Sequence, residues 1–535
     1  MPSMGRMRAF AALLLSLLCA CSGGGGSPSS STPAPPPMAA GERQVSGASP
    51  FAPGCGGLGG TLYVGAEVEP HVVADPRDPG RLVAVWQQDR WSNGSARGLL
   101  AAASFDGGAT WSVAPLPFSV CAGGSAALGT DYLRSTDPWV ALGADGTVHA
   151  IGLSTTGASF APGSTNAVIA ARSTDGGRTW ADPVVLVRET GPFLHDKETI
   201  TADPFDARFV YATWDRVDAG GQGPTWFARS TDGGLTWEAA HAIHDPGAGA
   251  QTLGNLIRVL PDGTLVDLYT RLVGDETRAT EAALEVIRST DRGLTWSAPV
   301  RIDADQPLGA RDPRSGAPIR DGSSVAQMAV APDGSLDVAW QDARFTGVRD
   351  GIALARSTDG GLTWSAAVRV NADPSVTAFT PQVHVRADGT IGVSYFTLPT
   401  DAPGAGAIPA EERLAQSVDG EHWSESLVAG PFDLALAPLA DGAYFLGDYM
   451  GLASAGTDFL PLYVRTTGSL DDRTDVFLAR VAPQAKRSVY RAPPLPAPGA
   501  RGAGFARRVA EQLARTRAHR LERWAAPSPA NRPAP

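Results

Sequence analysis

The chain is a succession of short apolar runs broken at close intervals by Gly, Pro, Asp and Asn. One set of runs lies at 69–74, 137–142, 198–202, 256–260, 325–330 and 381–385. A second set follows at 82–86, 209–214, 265–269, 336–340 and 391–396. Turn signals such as Ala74-Asp75-Pro76, Ala202-Asp203-Pro204 and Asp333-Gly334 separate a first run from its second. Runs this short, bounded by turn residues, predict strands rather than helices. Helical periodicity enters only at the C-terminus. There Phe505, Val509, Leu513, Leu521 and Trp524 share one face of a helix predicted over 501–524, behind a Pro-rich linker at 484–500.

The strands fall into repeats. Five octets read Ser-x-Asp-x-Gly-x-Thr-Trp, beginning at Ser104, Ser173, Ser230, Ser289 and Ser357. A sixth copy, from Ser417 to Trp423, is one residue shorter and lacks the Thr. In such an octet the Asp accepts backbone N–H groups of a tight turn, and Gly permits positive φ. The Thr favours the next strand, and the Trp packs into the sheet. The octet aspartates, 106, 175, 232, 291, 359 and 419, are 57 to 69 residues apart, which suits one four-stranded antiparallel blade per repeat. A seventh unit, with runs at 444–452, 459–464 and 475–481, has three strands and no octet. Its missing outer strand is assigned to 61–64, which would close the ring against 475–481. The expectation is an all-β propeller over 59–483, with seven blades favoured and six as the alternative.

The octets resemble the Asp-box, or BNR repeat, of the sialidase (neuraminidase) superfamily, over roughly residues 60 to 482. The resemblance implies a propeller whose boxes join the third and fourth strands of each blade, on the rim and away from chemistry. Sialidases of this family have six blades. It also implies a site in which three Arg clamp a substrate carboxylate, a Tyr–Glu pair is the nucleophile and an Asp is the acid/base. The family's early Arg-Ile-Pro is replaced here by Val68-Glu69-Pro70.

Candidate chemistry follows from the ends of the strands, since inner strands of a propeller line its channel. Glu69, Asp137, Lys197, Glu198, Asn255, Gln327, Gln382 and Asp448 stand at or near the first strands, and alternation turns about half of them inward. Tyr449 beside Asp448, with Glu198 or Glu69 across the channel and Asp137 nearby, is the nucleophile and acid/base constellation. Arg90, Arg216, Arg271, Arg344 and Arg465 are the candidate substrate-binding cations, because a guanidinium meets a carboxylate with two parallel bonds. For most of these Arg a bridge between neighbouring blades is the competing reading. No His/Cys cluster indicates a metal, a carboxylate ring would suit Ca²⁺ without the spacing demanding it, and no cofactor is expected.

Composition narrows the class. The 535 residues include 62 Gly and 43 Pro, as a turn-rich fold needs, and the net charge of −11 argues against nucleic acid as the main partner. The N-terminus reads as an address. Arg6 and Arg8 precede an apolar stretch at 9–20, too short to span a bilayer, that ends in Leu18-Cys19-Ala20-Cys21. This resembles a bacterial lipobox, with 1–21 as signal peptide and Cys21 as the lipidated residue. Residues 22–58 then form a flexible Gly/Ser/Pro tether, burying nothing as far as about residue 50. The membrane is thus a partner through a lipid anchor, in the cell envelope, at the outer membrane or cell surface. Cys55 and Cys121, the pair left after processing, suit a disulfide in an exported protein. The basic C-terminal helix is expected to dock on the propeller or fray, rather than lie on a membrane or bind a partner. Two function classes remain: an exo-α-sialidase-like glycoside hydrolase on acidic glycans, or a non-catalytic propeller that binds glycan or protein.

Overall fold

The computed structural model describes residues 41–57, 59–158, 160–274, 279–399, 406–483 and 489–522, all within one compact unit, Ala34–Pro535. The signal peptide, Cys21 and residues 22–40 of the tether lie outside the described residues, as do Trp524 and the side chain of Leu521.

The chain is an all-β propeller with mainly four-stranded antiparallel sheets and one C-terminal helix. A typical sheet runs in chain order: Phe193–Ala202, Val210–Asp218, Thr225–Ser230 and His241–His244. The first strands of successive units touch one another in sequence, and Gly451–Ala455 returns to Val68–Asp75, so the ring closes. Second strands read as continuous apolar runs because both faces are covered; 82–86 is 0 to 1% exposed, and Trp86, Trp214 and Trp340 are buried in corresponding places.

Five sheets of four or five strands stand separately, not seven or six. The difference arises between Val68–Asp75 and Val184–Thr190. There two four-stranded antiparallel runs are fused into one nine-stranded sheet through the Ala96–Ser135 pair, with Leu62–Tyr63 added to Asp78–Trp91.

The closing strand also differs from expectation. Residues 61–64 do not pair with 475–481; Leu62 and Tyr63 pair with Trp91 and Arg90. The outer strand of the last sheet is Arg43–Gln44, in register with Leu478 and Phe477. The segment read as the end of a tether is therefore structural. Glu42, Val45 and Ser46 are buried, and Glu42 takes two bonds from Arg465, at 2.8 and 3.1 Å. The physical reason is polar: the last sheet offers a buried guanidinium, which needs a carboxylate that 61–64 lacks. Cys55 and Cys121 are joined by a disulfide with Cα atoms 5.5 Å apart, fastening this N-terminal stretch to the chain beyond Ser112–Leu116.

All five full octets form one turn. The Thr amide donates to the Asp carboxylate at 2.9 to 3.0 Å, in Thr110, Thr179, Thr236, Thr295 and Thr363. The amide of the Gly at the fifth octet position donates to the Ser hydroxyl at 2.7 to 2.9 Å, for example Gly293 to Ser289. These bonds hold the five aspartates at about 2, below the usual carboxylate range. The octets link third to fourth strands, Ala96–Ser104 to Ser112–Leu116 being one instance, and take no part in the site below.

Candidate functional site

A repeated backbone irregularity builds the centre. Glu69, Asp137, Lys197, Ser324 and Thr380 have φ between 50° and 66°, with Gly254 in the corresponding place at 71°. For five of the six a bulge interrupts pairing with the second strand at that position, as between Thr136 and Trp139 or Asp196 and Thr199. A non-Gly residue in the left-handed region costs about 1 kcal/mol or more and persists only where its surroundings impose it. A bulge re-aims one side chain out of the strand's alternation. The ring is asymmetric: three neighbouring positions carry Glu, Asp and Lys, and the others carry Gly, Ser and Thr.

Those three charged groups meet. Lys197 Nζ lies 3.4 Å from Glu69 Oε1, 3.2 Å from Asp137 Oδ2 and 2.8 Å from Asp448 Oδ2. Arg320 binds Asp448 with two bonds, at 3.2 and 2.9 Å, and stands 3.5 Å from Asp441. Gln87 donates to Glu69, and Arg90 donates to Gln87. The Arg90 and Arg320 guanidinia both lie against the Phe445 ring, at 4.9 and 4.3 Å from its centroid. All of these charged side chains are buried except Asp441, which is half-buried.

The carboxyls are driven to opposite states. Burial pushes Glu69 up to about 8, only partly offset by Lys197, so it holds its proton at neutral pH. Asp137 is buried too, yet Lys197 and hydrogen bonds from Glu69 and Thr136 hold it well below the usual range. Asp448 is also lowered: burial opposes ionisation, but Arg320 and Lys197 outweigh it. Burial would depress the Lys197 ammonium, and the three carboxyls hold it well above its usual value instead.

Of the candidate nucleophile group, Glu69, Asp137 and Asp448 are thus brought together. Tyr449 is adjacent, its ring centroid 5.8 Å from Lys197 Nζ. Its hydroxyl donates to the Pro138 carbonyl at 2.9 Å and not to a carboxylate. Burial pushes that phenol up, and Glu69, Asp137 and Glu198 add to the shift. Glu198 is buried, and neither carboxyl oxygen has a hydrogen-bond partner among the described residues; burial pushes it well up.

The candidate cations are not brought together. Only Arg90 joins the cluster. Arg216 is bound to Glu189, Arg271 donates to the Pro246 carbonyl, Arg344 binds Asp342 and Asp303, and Arg465 binds Glu42. Each is held within its own part of the ring by a local partner. Arg320 and Gln87 were missed by sequence reasoning. Arg320 sits outside the repeated strands, so no periodic signal marks it. Lys197 was legible by position, as one of the chain's two lysines.

A small recess opens on Lys197, Arg320 and Asp448. One wall comes from helix α1, Gly502–Glu522, through Gln512, Arg515 and Thr516. The helix is docked by its apolar face: Phe505, Val509 and Leu513 pack on Leu253, Leu272 and Leu308. Arg517 ties it to the Gly221 carbonyl at 2.8 Å.

No protein-family model matches this chain, and no curated protein sequence matches it. Solved structures do. A protein of unknown function from Dyadobacter fermentans shares 14% identity at a TM-score of 0.43, over 82% of this chain and 99% of that one. The Hadza microbial sialidase Hz136 shares 16% at 0.40, over 75% and 76%. An α-L-arabinanase of Penicillium chrysogenum shares 14% at 0.38, over 65% and 95%. Likenesses at these scores carry no argument about activity, which rests on the site's own chemistry.

Proposed function

We propose that this chain is a sialidase-superfamily propeller with Asp-box repeats that hydrolyses glycosidic bonds in acidic glycans at its central cluster. The observation that carries this reading is the meeting of Glu69 and Asp137 on Lys197, with burial pushing Glu69 up while Lys197 holds Asp137 down. Glycoside hydrolysis needs one carboxyl kept protonated to meet the leaving oxygen and one carboxylate kept ionised to face the developing positive charge. Glu69 takes the first role and Asp137 or Asp448 the second. Tyr449 is the alternative nucleophile, once its hydroxyl leaves Pro138 for a carboxylate base. With Glu69 neutral, Lys197, Arg90 and Arg320 balance Asp137, Asp448 and Asp441, and Arg515 adds positive charge at the recess. That balance suits an acidic ligand although the whole protein is acidic.

The test is turnover on a panel of sialosides and other acidic glycans. Glu69→Gln and Tyr449→Phe are each expected to lower kcat by roughly 10²- to 10⁴-fold with folding intact. Glu69 is protonated below about 8 and ionised above it. Wild-type turnover should therefore fall as pH rises through that value. Full activity in both variants would discard this site.

A binding-only propeller is the second reading, and it has its own observation: the Tyr449 hydroxyl is bound to a carbonyl and α1 stands over the recess. Binding of an acidic glycan without cleavage selects it.

We also propose export with a lipid anchor at Cys21, on the strength of Leu18-Cys19-Ala20-Cys21. Cys21→Ser should move the protein from the detergent phase to the aqueous phase. Unchanged partitioning rules the anchor out.

A further inference from the structure

A second acidic cluster lies away from the centre, at the seam where the two ends of the ring meet. Gly65–Glu67 runs beside the chain that leads into Thr474–Leu478. The Arg473 amide donates to the Gly65 carbonyl at 2.7 Å, and the Thr474 hydroxyl donates to the Glu67 carbonyl at 2.8 Å. This pairing brings Glu67, Asp472 and Asp475 together, with one oxygen of each within 4.8 Å of the others. Glu67 and Asp475 are buried and Asp472 is exposed.

What separates this cluster from the central one is that, among the described residues, no Lys or Arg forms an ion pair with it. At the centre, Lys197 and Arg320 stand among the carboxylates. At the seam the nearby guanidinia are turned elsewhere: Arg465 to Glu42, Arg97 to Asp89, and Arg473 to the Leu436 and Ala437 carbonyls. Asp475 accepts from neutral groups, the Ser46 hydroxyl at 2.7 Å and the Gln44 side chain. Glu67 accepts from Gln88 with Oε1, while Oε2 is fully buried and has no partner among the described residues. A buried carboxylate oxygen with no donor is costly unless something positive completes it.

We propose that Glu67, Asp472 and Asp475 form a Ca²⁺ site that clamps the first sheet to the last. The donor set is all oxygen, with no His or Cys, which selects a hard cation. Asp472 leaves one side open to water, which would complete the six to eight oxygens Ca²⁺ takes. Because Glu67 precedes Val68–Asp75 while Asp475 lies in Thr474–Leu478, the ion would join the two ends of the propeller.

The test uses full-length protein stripped with chelator. Calorimetric titration with CaCl₂ is expected to show one ion per chain, and millimolar Ca²⁺ to raise Tm by a few degrees. Asp472→Asn, on the exposed side, should keep the fold and lose both responses. Glu67→Gln, isosteric and buried, should lose the Ca²⁺ response while holding Tm in chelator. The proposal is overturned if wild-type protein neither takes up Ca²⁺ nor shifts its Tm, if both variants keep the wild-type response, or if Mg²⁺ acts equally well.

Discussion

Lys197→Met is expected to destabilise the protein by about 3 to 5 kcal/mol, the range seen when one partner of a buried ion pair is removed. Three carboxyls lie within 3.4 Å of its ammonium, and the side chain is 5% exposed, so water cannot replace it. The loss falls unevenly. Asp448 keeps Arg320, and Glu69 is already protonated at neutral pH, so Asp137 carries most of the uncompensated charge. A folded pKa held below the unfolded one contributes stability above the unfolded value and loses it as pH falls through the folded value. In the variant Asp137 loses that advantage and its pKa rises. The gap between wild type and variant should therefore be widest near neutral pH and narrow as the solution is acidified. Urea unfolding at several pH values measures it. A difference below about 1 kcal/mol at pH 7 would mean that Lys197 is not what neutralises the cluster.

Truncation to residue 46 is expected to be as severe, and truncation to residue 40 nearly silent. The six residues between them supply Arg43–Gln44, the Glu42 partner of Arg465 and Tyr463, and the Ser46 hydroxyl on Asp475. Removing them strands a guanidinium that is 5% exposed and uncovers the edge of Thr474–Leu478. Loss of the buried pair alone is on the order of 3 to 5 kcal/mol, and a bare strand edge invites association. Thermal unfolding with light scattering reads both effects. Equal stability for the two truncations would show that the closing strand contributes nothing.

The contrast between those two truncations marks where reading the chain stopped working. The octets and the paired runs were legible, because turn chemistry and strand patterning are local, whereas the first strand of the last unit is Gly451–Ala455 and not 444–452, where Ala443–Tyr444 pairs separately with Leu439–Ala440. That an N-terminal strand completes the last sheet was legible too, as a missing partner. Which strand does so was not. Residues 61–64 look more like a strand than Arg43-Gln44, and only the buried Arg465 decides between them. The number of separate sheets was likewise beyond local reading, since a single pair between Ala96 and Ser135 fuses two of them.

The site divides in the same way. Position along the first strands marked Glu69, Asp137, Lys197 and Asp448, because a propeller places those strand ends at its middle. Alternation would have turned only some of them inward. The left-handed bulge at Glu69, Asp137 and Lys197 re-aims each one, and no single residue type announces that bulge. Arg216, Arg271, Arg344 and Arg465 looked equivalent to Arg90 by sequence, but each found a nearer acceptor. Arg320 reached the cluster from a segment without repeat. By itself the sequence determined the repeat, the antiparallel strands and the store of carboxylates at their ends, all set by contacts over a few residues. The tertiary structure alone decided which charges neutralise one another, because pairing energies depend on distance and burial across the ring.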